Sequence, residues 1–258
     1  MTIDHNDTEP VSTEPVKKEK KIRWGEMAII WLILTVITVV GSLTVIPHLM
    51  PRAASNTMHL TILTVVVFSI AAAPVGSFVY AVAVYGLRHW YGGSGDEPPA
   101  DGPALRGNNP ITVVWLVTST FLCVFLLVWG LAALSADDAA ASRSSMTVDV
   151  TGQQWLWTFH YPGTSVTTES LYLPIHRTVT FDVTSLDVVH GFWILPMGIK
   201  IDANPGETTT ITVTPNKLGT FDVRCSELCG LYHAYMTAQV HVVTPGQYRA
   251  WLAGSHQA

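Results

Sequence analysis

Three long stretches of this sequence are apolar and contain no Asp, Glu, Lys or Arg, and they restrict the possible folds more than any other feature. They cover residues 27–49, 60–87 and 111–134. About 20 apolar residues are enough for a helix to cross the hydrocarbon core of a bilayer. Only 13% of all residues are charged, against about 25% in an average soluble domain. The sequence therefore predicts a membrane anchor of three transmembrane helices over residues 26–135.

Basic residues beside the spans predict how the chain is oriented in the membrane. Residues 1–25 are polar, include a lysine-rich run at 17–21 and show no apolar periodicity, so we expect a disordered cytoplasmic tail. Arg88 and Arg106 place the second connector on the same side, whereas Arg52 in the first connector is a single contrary charge. The first span is too long for a cleaved signal peptide, so we expect it to be retained. Three crossings then predict a multi-pass protein of the bacterial inner (plasma) membrane with a cytoplasmic N-terminus and the remaining chain outside.

Residues 146–245 follow a different pattern, typical of short β-strands. Polar and β-branched residues alternate at 178–184, 209–213 and 238–243, which is the period of half-buried strands. Pro-Gly and Pro-Asn pairs separate these segments and favour turns. Several short strands in about 100 residues predict a small all-β sandwich or barrel. Residues 246–258 are expected to be a C-terminal tail or a short helix.

A cluster of metal-binding side chains lies near the end of this region. The segment Cys225-Ser-Glu-Leu-Cys229-Gly-Leu-Tyr-His233-Ala-Tyr-Met236 holds two thiols, an imidazole and a thioether, and His190 lies upstream. Thiolate, thioether and imidazole together favour copper among the common metals. A single blue-copper site needs only one Cys, and this cluster has two. Two thiolates can bridge two copper ions, which predicts one His for each copper and Met236 on one of them.

The cluster has one further expected ligand, and it also allows two other interpretations. The backbone carbonyl of Glu227 is expected to be the remaining weak ligand. A disulfide between Cys225 and Cys229 is an alternative outside the cytoplasm, but it would need neither imidazole nor thioether. A zinc site is another alternative, although a thioether ligand would be unusual there. The sequence has no Cys-x-x-Cys-His, so no covalently attached c-type haem is expected on this chain, and Cys123 is expected to be a packed or lipid-facing thiol.

The ligand segment resembles the CuA loop in subunit II of haem-copper cytochrome c oxidases. Three further segments are similar to this family: Gly152-Gln-Gln-Trp155-Leu-Trp157, residues 183–192 and residues 196–206. The resemblance covers nearly all of residues 146–245. It implies a cupredoxin-like Greek-key barrel that holds two copper ions in loops at one end. The expected fold class is therefore an α-helical membrane anchor of three helices joined to an all-β cupredoxin-like domain.

The resemblance also implies roles for individual residues. Trp155 is expected to receive electrons from a c-type cytochrome or a similar soluble donor, although Trp157 has a comparable position and either could be the core residue. The Glu227 side chain is implied in a magnesium site at the interface with subunit I, and Lys200 and Asp202 are implied to face that subunit. Residues expected to add negative charge to the docking face are Asp187, Glu169 and Asp222.

The implied function is electron transfer within a respiratory complex. Electrons from the donor would pass through the copper pair to a haem in subunit I, where oxygen is reduced to water and protons are translocated. The expected partners are subunit I, other oxidase subunits, the donor and lipid, and no basic patch points to nucleic acid. Alternatives are the copper subunit of a nitric oxide reductase, a membrane-anchored copper-binding or delivery protein, and a quinol oxidase subunit that has lost copper.

The sequence departs from the family in ways that indicate a divergent form. Most members are expected to have two spans before the copper domain, and this chain has three. Thr112 stands where the family often has a Glu that marks the mouth of a proton path, and Ser119 stands where a Pro is usual. Glu207 follows Pro205-Gly206 where the family often has Arg. At this position the sequence therefore lacks the carboxylate that the resemblance implies for the usual entry of protons.

Overall fold

The protein is described here by a computed structural model that covers residues 23–89, 107–141 and 146–254. Residues 1–22 of the predicted tail lie outside the described part, as do the second connector over 90–106 and the last four residues. The side chains of 136–141 also lie outside it.

Three long helices form the N-terminal half. They are α1 (Trp24–Thr44), continued by the short α2 (Ile46–Leu49), then α3 (Asn56–His89) and α4 (Asn109–Ala141). Each contains an apolar segment long enough to cross a membrane. The predicted architecture of three apolar helices followed by a β domain is confirmed.

Helices α1 and α3 are joined by polar contacts as well as by apolar packing. The indole Nε1 of Trp31 donates to the carbonyl of Pro74 at 2.8 Å, and the hydroxyls of Thr38 and Ser77 lie 3.5 Å apart. Pro74 is inside α3, where lipid-embedded helices tolerate proline when neighbouring groups use the freed backbone polar atoms. The first helix is therefore packed on the second as part of the anchor.

Ten strands form the β domain, and they pack as two five-stranded sheets with the orders β3-β2-β1-β5-β8 and β4-β10-β9-β6-β7. The strands are β1 (Met146–Gln153), β2 (Leu156–His160), β3 (Thr167–Thr168), β4 (Leu171–Pro174), β5 (Val179–Ser185), β6 (His190–Ile194), β7 (Ile199–Ala203), β8 (Thr209–Val213), β9 (Gly219–Cys225) and β10 (Thr237–Val243).

Alternating burial along the strands builds the core between these sheets. In β5 every second residue is buried, as the period-two pattern predicts. Phe159, Phe181 and Phe192 meet at its centre, with the rings of Phe181 and Phe192 5.2 Å apart. The pairs β1–β5 and β4–β10 are parallel and the other pairs antiparallel. This mixed arrangement is the cupredoxin-like Greek-key fold that the resemblance implied.

The strand order brings the predicted ligands to one end of the domain. Strand β6 begins at His190, and its neighbour β9 ends at Cys225. Residues 226–236 then form a loop with a short 3-10 helix at His233–Tyr235 before β10 begins. Residues Pro245–Gly254 form helix α5, which lies where a tail or a short helix was expected.

Candidate metal centre

Two thiols and one imidazole form the buried part of the candidate centre. The ligand atoms of His190, Cys225 and Cys229 all lie within 4.8 Å of one another. The two Sγ atoms are 3.7 Å apart, and Nδ1 of His190 lies 3.9 Å from Sγ of Cys225. His190 is fully buried, and the two cysteines are nearly so. All cysteines in the described residues are free thiols, and Cys123 is exposed on α4.

The remaining predicted donors surround the same two sulfur atoms. Nδ1 of His233 is 3.5 Å and Sδ of Met236 is 3.8 Å from Sγ of Cys229. The carbonyl oxygen of Glu227 is 3.2 Å from Sγ of Cys225. The structure thus brings together all five predicted side chains and the predicted carbonyl.

Backbone hydrogen bonds hold the ligand loop against the sheet. Cys225 is paired in register with Phe192 of β6, and its N–H donates to the carbonyl of Met236 at 3.1 Å. The N–H of His233 donates to the carbonyl of Gly230 at 3.2 Å and closes the turn before the 3-10 helix. The backbone of the ligand loop is therefore tied to the neighbouring strands.

Asp187 orients the first histidine. Its Oδ1 lies 2.8 Å from Nε2 of His190, and its Oδ2 accepts the N–H of Gln154 at 2.7 Å. Partial burial alone would raise the pKa of the Asp187 carboxyl. Hydrogen bonds from His190 and from the N–H groups of Gln154 and Val188 outweigh burial and lower that pKa to about 2. An ionised Asp187 can only accept, so Nε2 carries the proton and Nδ1 faces the thiols with its lone pair.

The Cys229 thiol is held in its neutral form. Burial is the largest cause that raises the pKa of Cys229, and the neighbouring Cys225 raises it further. Together they bring this pKa to about 11. Because a metal binds the thiolate form, binding must release the proton of Cys229. A metal ion that binds here must therefore bind thiolate strongly enough to displace a thiol proton.

The two candidate tryptophans have different surroundings. Trp157 is buried and packs against the rings of His190 and Phe192, which makes it a core residue. Trp155 is only partly buried and meets the ring of Tyr232 edge-on at 4.8 Å. A Cβ on Gly230 would lie 3.3 Å from Cζ2 of Trp155, so the indole rests on the backbone of the ligand loop. Gly230 also has a φ of +123° that favours glycine.

Charged residues near the ligand loop are exposed. The Glu227 side chain accepts from Nζ of Lys200 at 3.1 Å, and both side chains are about half exposed. Asp202 is exposed on β7, and Asp222 pairs with Arg224 at 3.4 Å. Asp187 was expected to supply charge to a docking face. Its carboxylate contacts His190 and Gln154 and remains about a third exposed, so this expectation stays a prediction.

Exposed apolar side chains surround the ligand loop, and we call them the apolar rim. Its members are between 50% and 86% exposed: Leu186, Leu228, Leu231, Tyr232 and Tyr235. Contiguous exposed apolar surface of this kind marks interaction sites. The end of the domain that holds the metal donors is therefore suited to contact another protein.

Two residues near the centre were not identified from the sequence as supports of the ligands. Asp187 holds His190, and the side-chain amide of Gln154 donates to the carbonyl of Cys229 at 2.7 Å. A signal existed for the first, because Asp187 precedes His190 by three residues and carboxylate–imidazole pairs commonly orient metal-binding histidines. No comparable sequence signal identifies Gln154, whose partner is 75 residues away.

The donor chemistry fits copper. Two thiols, two imidazoles and a thioether form a soft donor set. The fold places them around two sulfur atoms that are close enough to share metal ions. The fold and the site together define a membrane-anchored cupredoxin-like copper protein.

Comparisons with known proteins identify the family. The family model described as "Cytochrome C oxidase subunit II, periplasmic domain" matches residues 164–243. Cytochrome c oxidase subunit 2 of Vanderwaltozyma polyspora is 30% identical over 204 residues, which cover 67% of this chain and 82% of the relative. The chain belongs to the cytochrome c oxidase subunit 2 family. Its β domain is a periplasmic-type domain that lies outside the membrane.

Other similarities cover less of the relatives or of this chain. Cytochrome c oxidase subunit 2 of Thermostichus vulcanus is 37% identical over 117 residues, which are 45% of this chain and 36% of the relative. This chain thus spans about a third of that relative. The crystal structure of the periplasmic domain of subunit II from Bradyrhizobium japonicum is 28% identical and has a TM-score of 0.43. The matched region covers 45% of this chain and 97% of the chain in that structure.

Proposed function

We propose that this chain is the electron-accepting subunit II of a respiratory haem-copper oxidase. It would take electrons from a c-type cytochrome or a similar soluble donor and pass them to haem in subunit I, where oxygen is reduced to water with proton translocation. The observation that supports this most directly is the convergence of five soft donor side chains and one carbonyl on two thiols 3.7 Å apart. Membership of the cytochrome c oxidase subunit 2 family supports the same role.

The residues that would hold copper are His190, Cys225, Cys229, His233 and Met236, with the carbonyl of Glu227. Copper bound there would supply a one-electron carrier. The protein excludes water from part of the centre, because His190 and Met236 are fully buried. It also restrains the loop through the backbone hydrogen bond of Cys225. Donors that the surrounding fold holds in place need little rearrangement when the charge of the centre changes.

Trp155 is proposed to be the position at which electrons arrive. Its indole packs on Gly230, the residue after the ligand Cys229, and its other neighbour is the exposed Tyr232. The indole Nε1 is buried and has no hydrogen-bond partner within the described residues. The apolar rim around the loop offers the surface on which a soluble donor would dock.

Glu227 and Lys200 are proposed to face subunit I. Glu227 offers one carboxylate, and Mg²⁺ requires near-octahedral oxygen coordination. Among the described residues Glu227 belongs to no group of three or more His, Cys, Asp or Glu side chains that could hold a metal, so a magnesium site there would need ligands from subunit I. Magnesium would also have to displace the Lys200 ammonium from Oε1 of Glu227.

The contacts of the first connector support the proposed orientation. Ala54 and Ser55, between α2 and α3, hydrogen-bond to Pro196 and Met197 of the β domain. The connector therefore lies on the same side of the membrane as the β domain. Because α1 crosses once before it, the N-terminus would be on the cytoplasmic side, with the β domain outside.

A nitric oxide reductase with the same kind of copper subunit is the second candidate. It is favoured by Thr112, whose hydroxyl donates to the carbonyl of Asn108 at 3.1 Å and so offers no carboxylate at this point of α4. A copper-delivery protein fits less well, because every donor at the centre except His233 is buried, which favours retention over release.

The experiment that distinguishes these functions measures gas consumption by the complex, purified through a tag on this chain and supplied with a reduced c-type cytochrome. Rapid oxygen uptake that is lost in His233→Gln but kept in His160→Gln would establish the oxidase. His160 is a suitable control because it lies on β2 and contacts only Thr167 among the hydrogen bonds described. Nitric oxide consumption with little oxygen uptake would establish the reductase instead. Copper binding without consumption of either gas would favour delivery.

A further inference from the structure

The first outer connector and the β domain are joined by a buried contact that we call the membrane junction. On the membrane side it consists of Ala54, Ser55, Asn56 and Met58, and on the domain side of Pro196, Met197, Gly198 and Asn216. Ala54 and Ser55 are fully buried, and Met58 is 1% exposed. This degree of burial is typical of a domain core rather than of a loop that merely touches a neighbour.

Among the hydrogen bonds described, four cross the junction. The N–H of Ala54 donates to the carbonyl of Pro196 at 2.7 Å, and the N–H of Asn216 donates to the carbonyl of Ala54 at 2.9 Å. The side-chain amide of Asn216 donates to Oδ1 of Asn56 at 2.9 Å. The fourth comes from Ser55, whose hydroxyl donates to the carbonyl of Met197 at 2.6 Å.

Ser55 links the helix and the domain through one oxygen atom. Its Oγ also accepts the N–H of Met58 at 3.0 Å, which is the N-cap contact that starts helix α3. The same hydroxyl therefore caps the membrane helix and holds the domain. A change in the orientation of the domain relative to α3 would break one of these two contacts.

Gly198 allows the two backbones to approach. It has a φ of +68°, and a Cβ there would lie 2.9 Å from Cα and 3.0 Å from N of Met58. Both atoms belong to the helix backbone, so a side chain could be accommodated only if α3 and the domain moved apart. Glycine is required here by its conformation and by the contact.

The junction is connected to the metal donors by a short, paired strand. Residues Leu195–Met197 follow β6 directly, and β6 begins at His190. Along its length β6 is paired with β7, and it is paired with β9 at Phe192 and Trp193. A strand of five residues spans about 16 Å and is held on both sides, so an orientation set at Met197 is transmitted to His190.

We propose that the membrane junction is a positioning device for electron transfer. It holds the β domain at one orientation over α3 and so fixes the distance from the metal centre to the electron acceptor in the membrane. Ser55 and Gly198 are its positioning residues, and neither contacts a metal donor. The role in electron transfer rests on the proposed function, but the orientation of the β domain can be tested independently of that function.

The first test measures orientation in the copper-free full-length chain in lipid nanodiscs. Spin labels on genetically encoded keto amino acids at the exposed positions Thr61 and Glu169 leave the thiols untouched. We expect one narrow distance distribution for the parent chain and a broadened or shifted one for Gly198→Ala. Gly206→Ala is the matched control, because Gly206 has a φ of +76° with nothing within 4 Å of its Cβ position. Equal distributions in Gly198→Ala and Gly206→Ala would overturn the proposal.

The second test measures electron transfer in the complete oxidase. In Gly198→Ala we expect the copper absorption and the rate of reduction by the donor to match those of Gly206→Ala. The onward transfer to haem should be slower by about tenfold or more, because small displacements of reacting groups have large kinetic effects. An unchanged onward rate beside a broadened distance distribution would overturn the positioning role.

Ser55→Ala provides a second variant that does not depend on glycine conformation. Its control is Ser69→Ala, because Ser69 donates only to Val65 within α3, at 2.7 Å. We expect Ser55→Ala to broaden the distance distribution and Ser69→Ala to leave it unchanged, and equal distributions would again contradict the proposal. If the complex consumed no oxygen with any donor, the proposed function would fail, whereas the distance distributions would still decide whether the junction holds the domain.

Discussion

Asp187 and His190 are joined by a hydrogen bond of 2.8 Å between Oδ1 and Nε2, and this contact decides which imidazole nitrogen faces the thiols. The carboxylate has a pKa of about 2 and is ionised at neutral pH. It therefore fixes the proton on Nε2 and leaves Nδ1 free to bind metal. Its second oxygen is held by Gln154, whose side chain also holds the carbonyl of Cys229. A chain of hydrogen bonds through Asp187 and Gln154 thus connects His190 to the backbone of Cys229.

Asp187→Asn should weaken metal binding while the domain stays folded. The amide is nearly the same size, but it removes the charge that fixes the His190 tautomer, and loss of such a partner typically lowers metal affinity by about 10–100-fold. Copper affinity can be measured by competition with a chelator. Asp182→Asn is the control, because Asp182 accepts only the Thr210 hydroxyl at 3.1 Å on the exposed side of β5. Equal affinities in the two variants would remove the orienting role of Asp187.

Cys225→Ser and Cys229→Ser should each abolish the absorption bands of a two-copper thiolate centre. A serine hydroxyl is a harder and far less acidic donor than a thiol, so the pair of bridging sulfurs cannot form. Cys123→Ser is the control, because Cys123 is exposed on α4 and lies away from the centre. The measurement is the visible spectrum of the copper-loaded chain. Survival of the bands in either variant would show that the bridging assignment is wrong.

The parts of this structure that local sequence determines were the parts that could be predicted. The three apolar helices and the short strands follow from residue pattern, and four of the candidate metal-binding side chains lie within the twelve residues from Cys225 to Met236. The membrane junction could not be predicted, because Ser55 and Met197 are 142 residues apart and no local sequence pattern indicates that they meet. The environments of Trp155 and Trp157 also depend on tertiary packing, since one indole lies on the ligand loop and the other lies in the core.

Trp155→Phe should slow reduction of the centre by the soluble donor without altering the copper spectrum. A tryptophan at the middle of a docking surface commonly contributes 2 kcal/mol or more to binding. A loss of about 1.4 kcal/mol is a tenfold change, so we expect the second-order rate constant for donor oxidation to fall about tenfold. Trp193→Phe is the control, because Trp193 is a partly buried indole on β6 that does not contact the ligand loop through any ring contact described. Equal rates in the two variants would exclude Trp155 as the receiving residue.

The buried Tyr161 is expected to make the free energy of unfolding of the β domain fall as the pH rises in the alkaline range. Its hydroxyl donates to the carbonyl of Tyr172 at 3.1 Å and accepts the N–H of the same residue at 2.7 Å. Burial raises the pKa of Tyr161 well above its usual range, and the hydrogen bond to the Tyr172 backbone only partly opposes this. The unfolded chain loses this proton near pH 10, whereas the native domain retains it. The contribution is therefore fully present below about pH 10 and is lost as the pH rises toward the higher native pKa.

Tyr161→Phe should lower the free energy of unfolding at pH 8 by about 1–3 kcal/mol, because the backbone groups of Tyr172 lose their partner. It should also reduce the fall in that free energy between pH 8 and pH 11. Some of the fall will remain, since burial also raises the pKa of Tyr248. Urea unfolding of the full-length chain at several pH values gives both quantities. Tyr235→Phe, at a side chain that is 79% exposed, should change neither. A pH dependence as steep in Tyr161→Phe as in the parent chain would show that this phenol does not link proton binding to folding.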